Sequence, residues 1–239
     1  MKTGFVIIII ILFVCIFALN NKRKELKYKK SEYYIQTKNT YTNVMKDKGH
    51  LGEFLIYEQL KTLNGYKKFL FNVYVPKMNG GTTEIDVILL HESGVYVFES
   101  KNYSGWIFGN ETQQYWTQTL RYGRYGIQKN KFINPIRQNM SHLKWLQYFL
   151  KEEPCLTFYS YIVFSNRCLL KDVTITSKNH FVINRYDVFS AVQINAFHSG
   201  TQLTNQTIDR LYEKLYPLTQ LDDEQKMEHI KAIWRNRNF

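Results

Sequence analysis

Glu84-Ile-Asp-Val-Ile-Leu-Leu-His-Glu-Ser-Gly-Val-Tyr-Val-Phe-Glu-Ser-Lys101, or EIDVILLHESGVYVFESK, is the stretch on which the reading of this chain turns. Two apolar runs flank His91-Glu-Ser-Gly94, so the pattern predicts a β-hairpin. With Leu90 opposite Val95, Asp86 falls opposite Glu99 and Glu84 opposite Lys101. Directly opposed side chains share a face, with Cβ atoms about 4.5–5.5 Å apart. That face is apolar near the turn (Ile88, Leu90, Val95, Val97) and charged at its open end. Opposed carboxylates repel, and burial worsens the repulsion unless a cation compensates it. A divalent ion suits the position. Mg²⁺, with Mn²⁺ as a substitute, takes one or two carboxylates and completes its shell with water and phosphate oxygens. Lys101 lies two residues beyond Glu99 on the same face. There it can orient or deprotonate a water, or stabilise charge developing on phosphate. The spacing D-x12-E-x-K is short, and ordinary charges at a fraying strand end would share it. A one-residue slip would put Asp86 and Glu99 on opposite faces.

Upstream, Lys48 to Leu63 predicts a helix stopped by Asn64-Gly65. Glu53, Ile56, Leu60 and Leu63 fall on one stripe, which places an acid on the face that meets the sheet. Gly49 and Gly52 permit close backbone approach beside it. The competing readings are a Glu at the edge of the stripe reaching to water, and a first-turn Glu favoured by the helix dipole.

Further strands are expected at Phe69–Val75, within Trp106–Leu120, at Phe158–Phe164 and at Phe181–Ile183. Asn134-Pro135 opens a helix to about Leu150, with Pro in its first turn. Helices are also expected over Tyr186–Ala196, Thr204–Tyr216 and Asp222–Trp234. The fold class is α/β: one mixed central β-sheet flanked by helices. There is no internal repeat and no low-complexity tract.

Phe5–Leu19 (FVIIIIILFVCIFAL) is an unbroken apolar run at the short end of what spans a bilayer. A signal peptide is the rival reading, but no small-x-small cleavage site follows the run. The expectation is a transmembrane anchor over residues 1–20. The formal net charge is +12, and residues 20–50 hold nine Lys or Arg against three Asp or Glu. The basicity therefore gathers beside the apolar run. Lys22, Arg23, Lys24, Lys27, Lys29 and Lys30 are expected at anionic lipid headgroups, with the folded domain in the cytoplasm. Residues 21–45 read as a basic linker, 46–216 as the folded domain and 217–239 as a helical extension. Cys15, Cys155 and Cys168 form no CxxC, so a structural zinc site is not indicated. They read as buried, reduced thiols. Gly80-Gly81 has no GKS/T context and is no phosphate loop.

A helix with Gly-x-x-Gly-Glu53, a strand with Glu84-Ile-Asp86 and a strand ending Glu99-Ser-Lys101 resemble the PD-(D/E)xK nuclease superfamily. Gly105-Trp-Ile-Phe-Gly109, Trp116 downstream and Asn134-Pro-Ile-Arg-Gln138 bring the likeness closer to its nuclease-related domain (NERD) family. The resemblance covers about Lys48 to Leu150, and more weakly extends to Tyr216. It implies a restriction-endonuclease-like fold and Mg²⁺-dependent hydrolysis of nucleic acid, DNA rather than RNA. It also implies that Asp86, Glu99 and the Ser100 carbonyl hold the metal. Lys101 would be the catalytic lysine, Glu53 an accessory acid, and Gln138 a positioner of substrate or water. Ser100 and Ile85 depart mildly from the superfamily pattern. The alternative is an inactive module that keeps the fold and binds nucleic acid or protein at the membrane.

His50 reads as an exposed helix-start residue, His91 as a turn residue remote from the charges, and His142 as a helix residue without a partner. Tyr122, Arg124, Tyr125, Lys129 and Lys131 form a basic-aromatic loop suited to stacking on bases and holding phosphates. An ordinary polar loop fits them equally well.

Overall fold

The computed structural model describes residues 2–231 apart from 79, 124, 125, 179, 223, 226 and 230, and the side chains of 2–9 and 122 lie outside the description. Among the described residues, five strands form the main sheet: β1 (Lys67–Pro76), β2 (Thr82–His91), β3 (Gly94–Lys101), β7 (Phe158–Phe164) and β9 (His180–Asn184). They lie in the order β1-β2-β3-β7-β9. The first three are antiparallel, and β7 and β9 run parallel to β3. Four more strands make a second sheet, ordered β6-β5-β4-β8, from β4 (Gly105–Asn110), β5 (Tyr115–Tyr122), β6 (Gly126–Ile133) and β8 (Cys168–Thr174). The mixed α/β class stands, but the single sheet expected from the sequence is two. Residues 126–133, expected as a loop, form edge strand β6.

Helices cover both faces of the main sheet. On one face, α4 (Lys48–Leu60) and α6 (Val188–Ser199) bury Phe54, Ile56, Leu60 and Val192 against Val87, Leu89, Tyr96 and Phe98. On the other, α5 (Pro135–Phe149) and α7 (Asn205–Leu215) bury Leu146, Ile208 and Leu211 against Ile88, Leu90, Val95 and Val97. Each fully buried side chain of this size stabilises by about 1.5–3 kcal/mol. The continuous apolar run of β3 follows from cover on both faces.

The stretch read as a linker is folded in. Helix α1 (Lys2–Tyr28) is followed by α2 (Glu32–Thr37) and α3 (Tyr41–Lys46), and Tyr28, Tyr33 and Val44 are buried in the α4 face. Ser31 and Thr40 cap α2 and α3 through their hydroxyls. In α1 the side chains of the apolar run are exposed from Ile10 to Leu19, Phe13 at 71%. The side chains of residues 5–9, the rest of the expected anchor, lie outside the description. Among the described residues, no helix is long and apolar enough to cross a membrane. Of the thiols, Cys168 alone is buried; Cys15 and Cys155 are exposed, and all three are free.

Two glycines explain the Gly-Trp-Ile-Phe-Gly motif. Gly109 lies under the ring of Trp116, where a Cβ would collide with the indole, and Gly105 takes a φ of +81° against the Thr119 carbonyl. The indole N–H donates to the Asn110 carbonyl at 2.9 Å. Trp116 packs with Ile107, Ile136, Ile162 and Phe164 where the two sheets meet.

Candidate active site

The hairpin has the expected register for five rungs, from His91↔Gly94 to Val87↔Phe98, and there its pairing stops. Asp86↔Glu99 and Glu84↔Lys101 are not rungs, so the directly opposed pairs expected from the register do not form. The cause is an irregularity in β2 and in its other neighbour, β1, at that point. The β1–β2 ladder pairs Phe71 with Val87 and Val73 with Ile85 but skips Asn72 and Asp86, and Asn72 has a φ of +50°. Residues two apart on a regular strand share a face. Here Phe71 and Val87 face α4 whereas Val73 and Ile85 face α5. The faces swap across Asn72 and Asp86, as in a bulge. Asp86 therefore lies where the sheet splays, within reach of groups from both faces.

From the α4 face comes Glu53, 5% exposed, which accepts hydrogen bonds from the Tyr33 hydroxyl (2.8 Å) and the Asn72 amide (3.0 Å). Helix α4 sits directly on the end of β3. A Cβ on Gly52 would strike the Ser100 hydroxyl, and the Asn102 amide donates to the Lys48 carbonyl at 2.8 Å. From the α5 face come Gln138 and His142. The capping side chain of Asn134 accepts the Ile136 N–H at 2.9 Å and donates to three carbonyls of the β4–β5 turn, which fixes the start of α5. The Lys101 ammonium donates to Glu99 Oε1 at 2.5 Å and to Gln138 Oε1 at 3.0 Å. His142 Nε2 is 3.1 Å from Glu99 Oε2, and its Nδ1 is 2.6 Å from the Thr83 hydroxyl. His142 thus has two partners, which corrects the reading that gave it none.

The electrostatics are unequal. Burial pushes Asp86 well up, and Glu99 and Glu53 push it further, against the pull of Lys101 and the Ser100 N–H. Burial raises Glu53 to about 8 despite its two hydrogen bonds. Burial also acts upward on Glu99, but Lys101 and His142 outweigh it and hold Glu99 low. Burial acts downward on Lys101, yet Glu99 and Asp86 raise it overall, so it is a cation here. Glu99 is compensated, whereas for Asp86 and Glu53 burial outweighs the favourable partners.

Asp86 keeps some surface toward a cavity of about 390 Å³, whose wall includes Lys77, Thr83, Arg137, Gln138 and His142. The Lys101 carbonyl accepts from Ser165 beyond β7, and alternation turns that of Ser100 toward β2.

The family model of the nuclease-related domain matches residues 48–165, a span that holds Glu53, Asp86, Glu99, Lys101, Gln138 and His142. An uncharacterized protein of Bacillus anthracis is 33% identical over 195 residues, covering 80% of this chain and 86% of the relative. The chain belongs to the nuclease-related domain family. No solved structure matches it. Within this family member, Tyr33 reaches the site from outside the matched span.

Among the described residues, Lys129, His50 and His91 do not line the cavity that Asp86 faces. Lys129 is exposed on β6, paired with Thr119. Arg124 and Tyr125 lie outside the described residues. His50 is half-exposed, with its Nδ1 3.5 Å from Asp47. His91 is buried in the turn against Ser93 and the Asn64 carbonyl.

Proposed function

We propose that this chain is a membrane-anchored nuclease that hydrolyses phosphodiester bonds of DNA with Mg²⁺, Mn²⁺ substituting. The observation that carries the reading is Asp86: a carboxyl enclosed beside two others, its charge only partly compensated, on the wall of a cavity. The donor set fits a hard divalent ion. Asp86, Glu99 and the Ser100 carbonyl offer oxygens only, which suits Mg²⁺ or Mn²⁺. Among the described residues, no three His, Cys, Asp or Glu side chains cluster as a ready ligand set, so water and substrate would complete the shell. When bound, the ion would polarise the phosphodiester and acidify a water.

The chain's own residues do the rest. Lys101, held as a cation by Glu99 and Asp86, stabilises the negative charge that builds on the phosphate as the water oxygen bonds to phosphorus and the scissile P–O bond breaks. Its raised proton affinity makes it a donor rather than a base. Gln138 fixes the ammonium, and His142 fixes Glu99. Glu53 holds a negative charge behind Asp86 when ionised, which strengthens cation capture. Lys77 and Arg137 on the cavity wall suit a phosphate backbone.

The anchor reading rests on α1. A helix exposing apolar side chains from residue 10 to 19 calls for an apolar surrounding. The Lys and Arg residues at 22–30 favour the cytoplasmic side and anionic headgroups for the domain.

The test is cleavage of labelled DNA by the full chain in detergent with Mg²⁺. The wild type should cut, and Asp86→Ala and Lys101→Ala should not. Full activity in either variant rejects the assignment.

A further inference from the structure

Beyond the span that the family model covers, a segment near the C-terminus contributes a wall of the site. His229 is 7% exposed and lines the cavity that holds Asp86. It also lines an adjoining cavity of about 510 Å³ with Gln225, Glu228 and Lys231. Its Nδ1 is 2.8 Å from the Thr82 hydroxyl, and its ring stands edge-on to Tyr74 with centroids 5.2 Å apart. Among the described residues, its Nε2 is buried without a hydrogen-bond partner. Glu84 lines the Asp86 cavity too, and its Oε1 accepts from the Tyr74 hydroxyl at 2.7 Å. Its Oε2 stands 3.7 Å from His229 Nε2, too far for a hydrogen bond.

Glu84 Oε2 and His229 Nε2 are therefore held side by side, each by a partner at the other end of its own group. If Thr82 donates to Nδ1, the imidazole carries its hydrogen on Nε2, because the bond at one ring nitrogen sets the other. Burial lowers the His229 pKa and Glu84 opposes this only in part, so the neutral ring is favoured. The pair then offers one donor and one acceptor at adjacent points. A phosphate oxygen would satisfy the donor but meet the carboxylate's repulsion. A hydroxyl accepts and donates at once and satisfies both.

We infer that Glu84 and His229 form a reader for a sugar hydroxyl of the strand held at the neighbouring site. The inference rests on the nuclease reading. The hydroxyl is either the 3′ hydroxyl of a strand end or the 2′ hydroxyl of ribose, which separates RNA from DNA.

The experiment measures oligonucleotide binding to the full chain in detergent with Ca²⁺. Three probes are compared: DNA ending in a 3′ hydroxyl, the same DNA ending in a dideoxynucleotide, and RNA of the same sequence. Two substitutions separate recognition from folding. His229→Asn keeps a polar atom near Nδ1 for Thr82 and removes the group at Nε2. Glu84→Gln keeps an acceptor for Tyr74 and can turn an amide outward that cannot accept. The expected result is a preference of about tenfold or more for one hydroxyl-bearing probe, as for loss of a polar contact to a charged group. Preference for the 3′ hydroxyl names a strand end, and preference for RNA names the 2′ hydroxyl. In both variants the preference should collapse to about one. No preference in the wild type, or an unchanged preference in both variants, overturns the reader and leaves the nuclease reading standing. No binding of any probe overturns both.

Discussion

The Ser100 backbone N–H donates to Asp86 Oδ2 across 2.7 Å, just beyond the last rung of the β2–β3 ladder. A side chain has taken the place of a strand partner, and this bond holds the carboxyl at the splayed end of the sheet. Asp86→Asn retains an acceptor for Ser100 and removes the charge. The metal-free variant should therefore melt higher than the wild type at pH 8, because like-charge repulsion is relieved. Divalent ion should no longer raise its melting temperature, and cleavage should fall about 100-fold or more. Thermal denaturation with and without Mg²⁺ checks the first two, and an undiminished response to Mg²⁺ would remove Asp86 from the metal site.

Glu53 sets a pH dependence. Its folded-state pKa is raised from 4.5 to about 8, so the folded chain holds a proton that the unfolded chain has released. Its stabilising contribution is present in full below the unfolded value and is lost as pH rises through about 8. Asp86 acts in the same direction and Glu99 in the opposite one. Comparison with Glu53→Gln isolates the effect, since the amide keeps an acceptor for Tyr33. In metal-free buffer the variant should gain stability on the wild type across that window. Parallel stability curves in urea titrations would contradict the raised pKa.

His142 bonds to Glu99 and Thr83, so His142→Ala should loosen the carboxylate without removing it. Metal affinity should fall about 10- to 100-fold, the usual cost of losing a residue that orients a ligand. Calorimetric titration with Mn²⁺ reads this directly. Unchanged affinity would reduce His142 to a packing residue.

Gly109→Ala should destabilise by about 1–3 kcal/mol through overpacking against Trp116. Metal affinity per folded molecule should be unchanged, since the atoms that an added Cβ would meet first belong to the Trp116 ring at the junction between the sheets. A loss of metal binding at full stability would give the motif a functional role.

The hairpin was legible from its apolar runs and Gly94, and five rungs keep the expected register. Glu53 was legible from its helical stripe. The swap of faces at Asn72 and Asp86 was not, because a positive φ at an Asn leaves no mark on the surrounding pattern. His142 carried a signal: it stands four residues after Gln138, on the same helix face. Its partners, Thr83 and Glu99, are 59 and 43 residues away, and only the fold brings them together. Tyr33 and His229 lie on short or terminal segments whose periodicity is too brief to assign a face. Strand β6 was read as a loop because its side chains are mostly polar, as suits an exposed edge.

Lys101 donates to Glu99 Oε1, so the ammonium would compete with a divalent ion for the Glu99 carboxylate. Lys101→Met keeps the length of the side chain and removes the cation. Two effects should then move in opposite directions. Metal affinity should rise, because Glu99 loses its internal partner and the site becomes more negative. Cleavage should fall about 100- to 1,000-fold, because nothing replaces the charge that stabilises the phosphate as the bond breaks. Loss of affinity together with activity would mean that Lys101 maintains the site's structure. Retained activity would mean that the ammonium takes no part in the reaction. Tighter metal binding by an inactive chain separates holding the ion from using it, and it is the outcome this geometry predicts.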